Sequence, residues 1–408
     1  MDKTTIVEHD ADLAKNNTLV YMQRAIELAE QARGKCSPNP FVGAVIVKDG
    51  RIIGSGFTQK YGSDHAEVQA IKNSTESCTG ADIYVTLEPC SHYGKTPPCA
   101  KTIIESGISK VYYGISDPNP LVAGKGRQML LDAGIEVEHG FCADVITQQL
   151  EYYLTYITKQ RPFVFLKSGV TLDGRIAAKD GTSRWISCEE SRTMTHELRM
   201  EADALITGIG TVKKDNPLLN VRLPKPYKQP VRIILDSKLS IPLISQIVAT
   251  ATEQETLIFM SAGHSNPAKE KALAELGLEI IKIPSAVEQD ADPAQTRTPT
   301  VEQDAVPAQT KSPAKHSPAY LDLNLVLTEL YNRKISVVMV EAGSRVNTSF
   351  LKAGLVDKLY MFIAPKLLGG DHFAWHDIGI ENIEQALNLR DMQTKQVGAD
   401  TLFTGYLN

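Results

Sequence analysis

The chain has 408 residues, of which 42% are hydrophobic and 22% charged, so it is long enough for two or three ordinary globular domains. Its formal net charge of −5 argues against a nucleic-acid partner, because such proteins need a basic surface to neutralise phosphates. No run of about 18 apolar residues occurs, and residues 1–16 lack the apolar core of a signal peptide. We therefore expect a cytoplasmic protein without a membrane partner.

The first 160 residues alternate between helix and strand patterns. Leu19, Met22, Ile26 and Ala29 recur at helical spacing, and Gly34 marks the end of that helix. The next predicted elements are strands 41–47 and 51–57 joined by an Asp49–Gly50 turn, helix 64–73, strand 81–87, helix 97–105, strand 110–115, helix 124–133 and strand 135–139. This order favours a sheet with helices on its faces.

A second alternation begins after a predicted helical stretch at 143–158. Its predicted strands are 163–170, 204–208, 231–236, 256–260, 278–283, 336–341, 357–364 and 401–407, with helices in several of the gaps. We place the domain boundary near residue 160. The predicted organisation is a polar N-terminal extension at 1–16, an α/β domain at 17–160 and a second α/β domain at 161–408.

One segment, 285–318, interrupts the second domain. It contains no aromatic residue, five prolines and only three large apolar residues, too few to offset the entropy lost on ordering. A ten-residue stretch at 287–296 recurs in nearly the same form at 301–310. Two copies are too few for a repeat fold. We interpret the segment as a duplicated, disordered surface insert, with a partner-binding motif as the alternative.

The strongest functional pattern is His65-Ala-Glu67 followed by Pro89-Cys90 and Cys99. One imidazole and two thiolates can hold zinc and leave a fourth tetrahedral position for water, which is the arrangement of a catalytic site. A glutamate two residues after the histidine can move protons during hydrolysis, as in zinc nucleobase deaminases. A purely structural zinc site would need four protein ligands and would leave Glu67 unexplained. His92 is a further possible ligand, but its position beside Cys90 favours an orientation into the pocket wall or solvent.

Eight residues separate Cys90 from Cys99, where most deaminases of this type have two. The stretch Thr86-Leu-Glu-Pro-Cys-Ser-His-Tyr-Gly-Lys-Thr-Pro-Pro-Cys99 closely resembles the deaminase half of the bifunctional riboflavin biosynthesis enzymes, and segments 38–43 and 116–120 agree with it. The resemblance implies that His65, Cys90 and Cys99 bind one zinc ion per deaminase domain and that Glu67 is catalytic. The substrate contacts that it implies are Asn39, Lys95, Asp117 and Asn119.

Two observations qualify these implied contacts. Asn39 and Asn119 stand in Pro-flanked turns, where asparagine is favoured for local reasons alone. Thr58 stands where this family usually has a histidine near the substrate, so one contact is expected to differ.

The second half lacks a dinucleotide-binding fingerprint, because Gly208-Ile-Gly210 is followed by Lys213 in place of the third glycine. The loop 341–349 follows a predicted strand and opens a helix, whose N-terminus suits a pyrophosphate. The segments that resemble the reductase half of the same family are 166–175, 183–186, 207–212, 215–222, 340–343 and 364–369. They imply a dihydrofolate-reductase-like fold that uses NADPH.

The resemblance also implies roles for residues of this half. The implied cofactor contacts are Gly169, Trp185, Thr211, Asp215, Gly343, Ser344, Arg345, Val346, Asn347, Thr348 and Ser349. The implied substrate contacts are Ser183, Arg199, Leu219, Arg222 and Glu341, of which the two arginines suit a phosphate. Lys167 is a candidate catalytic residue for charge or proton handling, with a strand-end lysine in solvent as the alternative. Simple core packing is the alternative for Trp185.

The predicted fold class is therefore α/β with two domains, a cytidine-deaminase-like three-layer α/β/α domain followed by a dihydrofolate-reductase-like domain. The implied enzyme deaminates a phosphoribosyl-pyrimidine and then reduces its ribosyl group, and we expect a homo-oligomer, either a dimer or a tetramer. The alternatives are a nucleic-acid base deaminase and a C-terminal half that only binds a ligand or mediates oligomerisation.

Overall fold

A computed structural model of the chain describes residues 17–93, 97–120, 122–226, 228–286 and 320–407. The predicted N-terminal extension, Lys95 and nearly all of the predicted insert lie outside the described residues. No helix within the described ranges is long and apolar enough to cross a membrane.

The first sheet has the strand order β2-β1-β3-β4-β5. Its strands are β1 (Gly43–Lys48), β2 (Arg51–Phe57), β3 (Asp82–Leu87), β4 (Lys110–Ile115) and β5 (Glu136–His139). Strand β1 runs antiparallel to both neighbours, and β3, β4 and β5 are parallel. Asp49 and Gly50 have φ of 49° and 72°, as a two-residue type I′ hairpin turn requires, so the predicted turn is confirmed.

The helices of this half cover both faces of the sheet. They are α1 (17–29, continued by the 3-10 turn Glu30–Ala32), α2 (Ala66–Lys72), α3 (Cys99–Glu105), α4 (Lys125–Asp132), α5 (Ala143–Gln149) and α6 (Glu151–Lys159). A Cβ on Gly43 would lie 1.9 Å from the Ala25 carbonyl oxygen of α1, and one on Gly56 would lie 2.5 Å from that of Ala66 in α2. Gly56 pairs with Ala44, the neighbour of Gly43, so these two glycines face opposite sides of the sheet. Helices α1 and α2 therefore form outer layers on opposite faces, and only glycine permits their close approach.

The second sheet has nine strands within the described residues, in the order β10-β9-β8-β7-β13-β6-β14-β16-β15. They are β6 (Phe163–Thr171), β7 (Ala204–Gly208), β8 (Val231–Leu235), β9 (Thr256–Ser261), β10 (Glu279–Ile283), β13 (Val337–Val340), β14 (Lys358–Ala364), β15 (Leu389–Val397) and β16 (Asp400–Leu407). The first seven in this order are parallel, whereas β16 and β15 are antiparallel additions at one edge. A short antiparallel pair, β11 (Ser285–Ala286) and β12 (Tyr320–Leu321), stands apart.

The helices of the second half are α7 (Glu189–Glu201), α8 (Ile209–Asp215), α9 (Gln246–Ala249), α10 (Pro267–Glu275), α11 (Leu323–Asn332) and α12 (Ser344–Lys352). The structure differs from the predicted elements in three places. Strand β11 occupies the first two residues of the insert that was predicted to be disordered, because they pair with β12. Strand β15 was not predicted, because it is exposed along seven consecutive residues and shows no apolar alternation. The predicted helix 143–158 is two helices, since Leu150 interrupts it between α5 and α6.

The two halves share one hydrophobic core at helix α6. The Tyr152 ring of α6 lies 6.4 Å from Phe41 in the first half and 4.9 Å from Phe163 in the second, measured between ring centroids. Tyr156 contacts Tyr331 at 4.6 Å between centroids. The boundary near residue 160 stays a prediction, but the described residues on either side of it pack together.

The pairing of β11 with β12 brings the two ends of the predicted insert together, because Ala286 lies opposite Tyr320. We expect that residues 287–314 can be replaced by about four Gly/Ser residues. Since loop-closure entropy varies slowly with length, the free energy of unfolding should change by about 1 kcal/mol. Thermal melting and both expected activities would check this, with a scrambled insert of equal length as the control. Selective loss of one activity would show that the insert takes part in it.

Candidate active sites

The three predicted zinc ligands converge in the first half. His65 immediately precedes α2, Cys90 follows β3, and Cys99 is the first residue of α3. The Nδ1 atom of His65 lies 3.6 Å from the Sγ of Cys90 and 3.2 Å from that of Cys99. Within the described residues these three form the one group of His, Cys, Asp or Glu side chains arranged to hold a metal ion. His92 is not part of it.

These distances fit zinc. Tetrahedral bonds of about 2.1 Å to nitrogen and about 2.3 Å to sulfur would place nitrogen and sulfur about 3.6 Å apart. A hydrogen bond from Cys99 lowers the pKa of the Cys90 thiol, and His65 acts in the same direction. The Cys99 backbone N–H also donates to the Cys90 Sγ at 3.3 Å. These contacts favour the thiolate form of Cys90, which is the form that binds zinc.

Glu67 lies in the first turn of α2, beside this group of ligands, and is only 4% exposed. Burial raises the pKa of its carboxyl group to about 7. A carboxyl group near its pKa at neutral pH can both accept and donate a proton, which is what a catalytic acid and base needs.

A cavity of about 300 Å³ opens beside Glu67 and the zinc ligands. The predicted substrate contacts Asn39, Asp117 and Asn119 all line it. His92 and Thr58 also line it, and the Thr58 hydroxyl accepts a hydrogen bond from the Val42 N–H at 3.0 Å. The structure thus brings together every predicted residue of this site except Lys95, which lies outside the described residues.

Two residues that the sequence analysis missed hold this cavity in shape. The buried Glu88 carboxylate accepts hydrogen bonds from the backbone N–H groups of Gly124 and Arg127, both at 3.1 Å, and so fixes the loop that carries Asp117. The hydroxyl of Tyr153 in α6 donates to the Asp117 carboxylate, with distances of 2.9 and 3.0 Å to its two oxygens. Glu88 stood inside the quoted Thr86–Cys99 motif, whereas nothing in the sequence linked Tyr153 to Asp117.

A second cluster of buried charges lies in the nine-stranded sheet. Glu341, directly after β13, receives two hydrogen bonds from the Arg199 guanidinium, at 2.8 and 2.9 Å. The Lys167 ammonium of β6 lies 3.7 Å from the same carboxylate, and only 13% of the Lys167 side chain is exposed. The alternative of a solvent-facing strand-end lysine is therefore wrong for Lys167.

The electrostatics of this cluster follow from burial and pairing. Burial alone would raise the pKa of Glu341, but Arg199 and Lys167 hold it at about 2. Burial lowers the pKa of Lys167, although Glu341 opposes that shift. Glu341 is thus ionised at all physiological pH values, and the Lys167 ammonium loses a proton more readily than a solvated lysine does.

The other predicted substrate contacts differ in their surroundings. The exposed Arg222 belongs to the same cluster, because its backbone N–H donates to the Nδ1 of His196, 3.5 Å from Arg199. Burial and the two arginines lower the pKa of His196 to about 4, so this missed residue is neutral. Leu219 is only 3% exposed, and Ser183 lies in the segment between β6 and α7.

The predicted cofactor contacts surround the start of α12. Gly343 precedes this helix, and a Cβ there would lie 3.6 Å from the Thr211 hydroxyl of α8. Gly169 lies near the charged cluster, because a Cβ on it would be 3.9 Å from the Lys167 ammonium. Trp185 is 61% exposed with the Arg192 guanidinium 4.6 Å from its ring, so core packing does not explain it.

The remaining predicted cofactor contacts extend along α8 and α12. The Asp215 carbonyl oxygen accepts a hydrogen bond from Arg184, and the Ser344 hydroxyl lies 3.0 Å from the His376 Nε2. Asn347 and Thr348 are buried, and the Asn347 amide donates to the Ala374 carbonyl. These two side chains therefore lie on the buried side of α12. Those that the structure leaves at least partly exposed are Ser344, Arg345, Val346 and Ser349.

The fold and the first site define a class of protein, a zinc nucleobase deaminase domain joined to a second α/β domain. Two family models agree with this division. Residues 15–115 match the cytidine and deoxycytidylate deaminase zinc-binding region, and residues 162–403 match the RibD C-terminal domain.

Curated relatives and solved structures identify the family. The riboflavin biosynthesis protein RibD of Aquifex aeolicus is 40% identical over 380 residues, and the match covers 93% of this chain and 96% of the relative. The RibD protein of Escherichia coli is 34% identical over 393 residues, and that match also covers 93% of this chain and 96% of the relative. The solved structure of Acinetobacter baumannii RibD, 34% identical, superposes with a TM-score of 0.80 over 96% of this chain and 99% of its own. The chain belongs to the RibD family of riboflavin biosynthesis proteins, and the predicted fold class is confirmed.

The first prediction from the site concerns Cys99. We expect Cys99→Ala to release zinc, because His65 and Cys90 alone are an incomplete set of ligands. Metal analysis of the purified protein would measure this. Cys78→Ala is the matched control, since Cys78 is also buried but bonds to Ser74 outside the site. Full zinc occupancy in Cys99→Ala would remove Cys99 from the ligand set and leave His92 as the candidate.

A second prediction concerns Tyr153. Tyr153→Phe removes the hydroxyl that orients Asp117, and we expect kcat/KM of deamination to fall about tenfold, as for loss of a buried hydrogen bond to a charged group. The reductase reaction should be unchanged. Tyr152→Phe is the control, because the adjacent Tyr152 hydroxyl points to Glu201 at 3.3 Å and does not line the cavity. An equal effect of both substitutions would show that only the packing of α6 matters.

Proposed function

We propose that the chain catalyses two consecutive steps of riboflavin biosynthesis. The first is hydrolytic deamination of 2,5-diamino-6-(5-phosphoribosylamino)pyrimidin-4(3H)-one, and the second is NADPH-dependent reduction of the ribosyl group to give 5-amino-6-(5-phosphoribitylamino)uracil. The observation that carries the proposal is the convergence of His65, Cys90 and Cys99 into a group that can hold zinc, beside the buried Glu67. In support, a Thermotoga maritima structure whose name gives both activities is 33% identical and superposes with a TM-score of 0.77.

In the deaminase step, His65, Cys90 and Cys99 would hold the zinc ion. Zinc supplies a coordinated water whose pKa is low enough for it to act as a nucleophile near neutral pH. Glu67 would accept one proton from the attacking water and deliver it to the ring nitrogen, and would then carry a second proton from the hydroxyl group added to the ring carbon to the departing ammonia. Its buried carboxyl group suits this relay, because its pKa of about 7 makes either transfer accessible.

Asn39, Asp117 and Asn119 would orient the pyrimidine in the cavity. Each offers a hydrogen-bonding side chain to a base that itself carries donors and acceptors around its ring. Lys95 would add a cationic contact.

In the reductase step, the cofactor would lie along Gly169, Trp185, Thr211, Asp215 and residues 343–349. NADPH supplies a hydride when bound. The Lys167 ammonium would give a proton to the sugar ring oxygen as the bond from that oxygen to C1′ opens. The contacts of Glu341 with Lys167 and Arg199 support this role. Arg199 and Arg222 would bind the substrate phosphate, while Ser183 and Leu219 would contact the rest of it.

The alternative of a nucleic-acid base deaminase is not favoured. The chain carries a net charge of −5. Residues of helix α6 also line the cavity on the side where the second half packs. We also propose that the protein works in the cytoplasm, where NADPH is available and its six free cysteines stay reduced. A homo-oligomer, dimer or tetramer, is proposed as well, and analytical ultracentrifugation would test it.

The test of the function is mass spectrometry of the products formed from the diaminopyrimidine substrate, with and without NADPH. We expect the deaminated ribosyl compound without NADPH and the ribityl compound with it. Glu67→Gln keeps the size of the side chain but not its acid–base function, so deamination should fall by orders of magnitude. The same variant should still reduce supplied deaminated substrate. Near-normal deamination by Glu67→Gln would contradict the proposed mechanism.

A further inference from the structure

The interior of the deaminase cavity is rich in buried acids. Glu67, Glu88 and Asp117 line it and are each at most 5% exposed. A phosphate dianion placed among buried carboxylates would be strongly repelled. The phosphate of the substrate, whose identity rests on the function proposed above, must therefore lie at the open end of the cavity.

Tyr61 marks that open end, because it lines the cavity and is also 42% exposed. The cation in contact with Tyr61 comes from the reductase half. The ammonium of Lys334, just after α11, lies 3.4 Å from the Tyr61 hydroxyl and 5.3 Å from its ring centroid. Lys334 has a left-handed φ of 63°, which turns the chain sharply at the end of the helix.

The segment that carries Lys334 is anchored to the wall of the cavity. The hydroxyl of Tyr156, a cavity-lining residue of α6, donates to the Tyr331 carbonyl oxygen at 3.3 Å, and the two rings are in contact. The Lys334 backbone N–H donates to the same carbonyl oxygen at 2.8 Å. Lys334 is thus held at a fixed place relative to the cavity.

The charge of Lys334 is available to a ligand. No carboxylate in the described ranges forms an ion pair with it, and its side chain is exposed. The adjacent Arg333 differs, because Glu279 and Glu329 pair with its guanidinium at 2.9 and 2.8 Å. Of these two neighbouring cations, Lys334, which contacts the cavity residue Tyr61, is therefore the one with no carboxylate partner in the described part of the chain.

We propose that Lys334 binds the phosphate monoester of the deaminase substrate, with the Tyr61 hydroxyl beside it. A residue of the reductase half then completes the substrate site of the deaminase half. The ligand class is a phosphate monoester at the end of a pyrimidine ribosyl group. The small cavity holds the base and sugar, while the phosphate stays at the mouth in contact with water.

The test compares two substrates, the phosphorylated diaminopyrimidine and its dephosphorylated riboside, in the full-length zinc-loaded protein. Lys334→Gln should lower kcat/KM for the phosphorylated substrate about tenfold, as for loss of a charged hydrogen bond, mainly through KM. The riboside should be deaminated equally well by both proteins. Lys334→Arg should retain most of the preference for the phosphorylated substrate, because it keeps the charge.

Lys271→Gln on α10 is the matched control, since it removes the same charge from an exposed helix position that does not line the cavity. It should change neither substrate's kinetics. Inorganic phosphate should inhibit riboside deamination more weakly in Lys334→Gln than in the unaltered protein.

Equal effects on both substrates would assign Lys334 a structural role, and no effect on either would remove it from the site. Both results overturn the inference. Failure of the unaltered protein to deaminate the phosphorylated substrate at all would instead contradict the proposed function.

Discussion

Helix α6 is the element on which both halves depend, because it packs on each of them. It has nine residues, too few for a stable isolated helix, so its stability comes from tertiary contacts. Tyr152 and Tyr156 pack against rings of the second half, at about 0.5–1.5 kcal/mol for each aromatic pair beyond simple burial. Tyr153 reaches Asp117 in the cavity. The shape of the deaminase site therefore depends on a helix that the reductase half holds in place.

Both sites bury charged groups, and each burial is offset by specific partners. The Glu88 carboxylate is surrounded by backbone N–H groups, whereas Glu341 has a paired guanidinium and an ammonium. Removing one partner would leave an uncompensated buried charge, which costs more than the pair contributes. These residues consequently fix the loops that carry the reacting groups, in addition to any part they play in chemistry. In both sites a buried carboxylate with hydrogen-bonding or charged partners holds the surrounding loops in place, although the residues differ.

The sequence predicted local features better than contacts across the fold. Strands Lys110–Ile115 and Ala204–Gly208 agree with the predicted bounds to the residue, since each is a compact apolar run ended by turn residues. Strand β15 has no such pattern, because its side chains face solvent and only its pairing with β16 defines it. The zinc ligands followed from spacing and motif. Tyr153 did not, because its link to Asp117 spans 36 residues and requires knowing which face of α6 meets the cavity.

The side chains of the two proposed sites differ in charge, and this difference affects how a phosphorylated pyrimidine would bind to each. The deaminase cavity is lined by acids, while the reductase cluster sets Lys167, Arg199 and Arg222 against the one carboxylate of Glu341. In the deaminase site a phosphorylated pyrimidine would accordingly bury its base and leave its phosphate at the mouth of the cavity, whereas in the reductase site its phosphate would meet the two arginines. The product of deamination must then leave the first cavity before its sugar can reach Lys167. Joining the two domains in one chain raises the local concentration of the second site during that transfer.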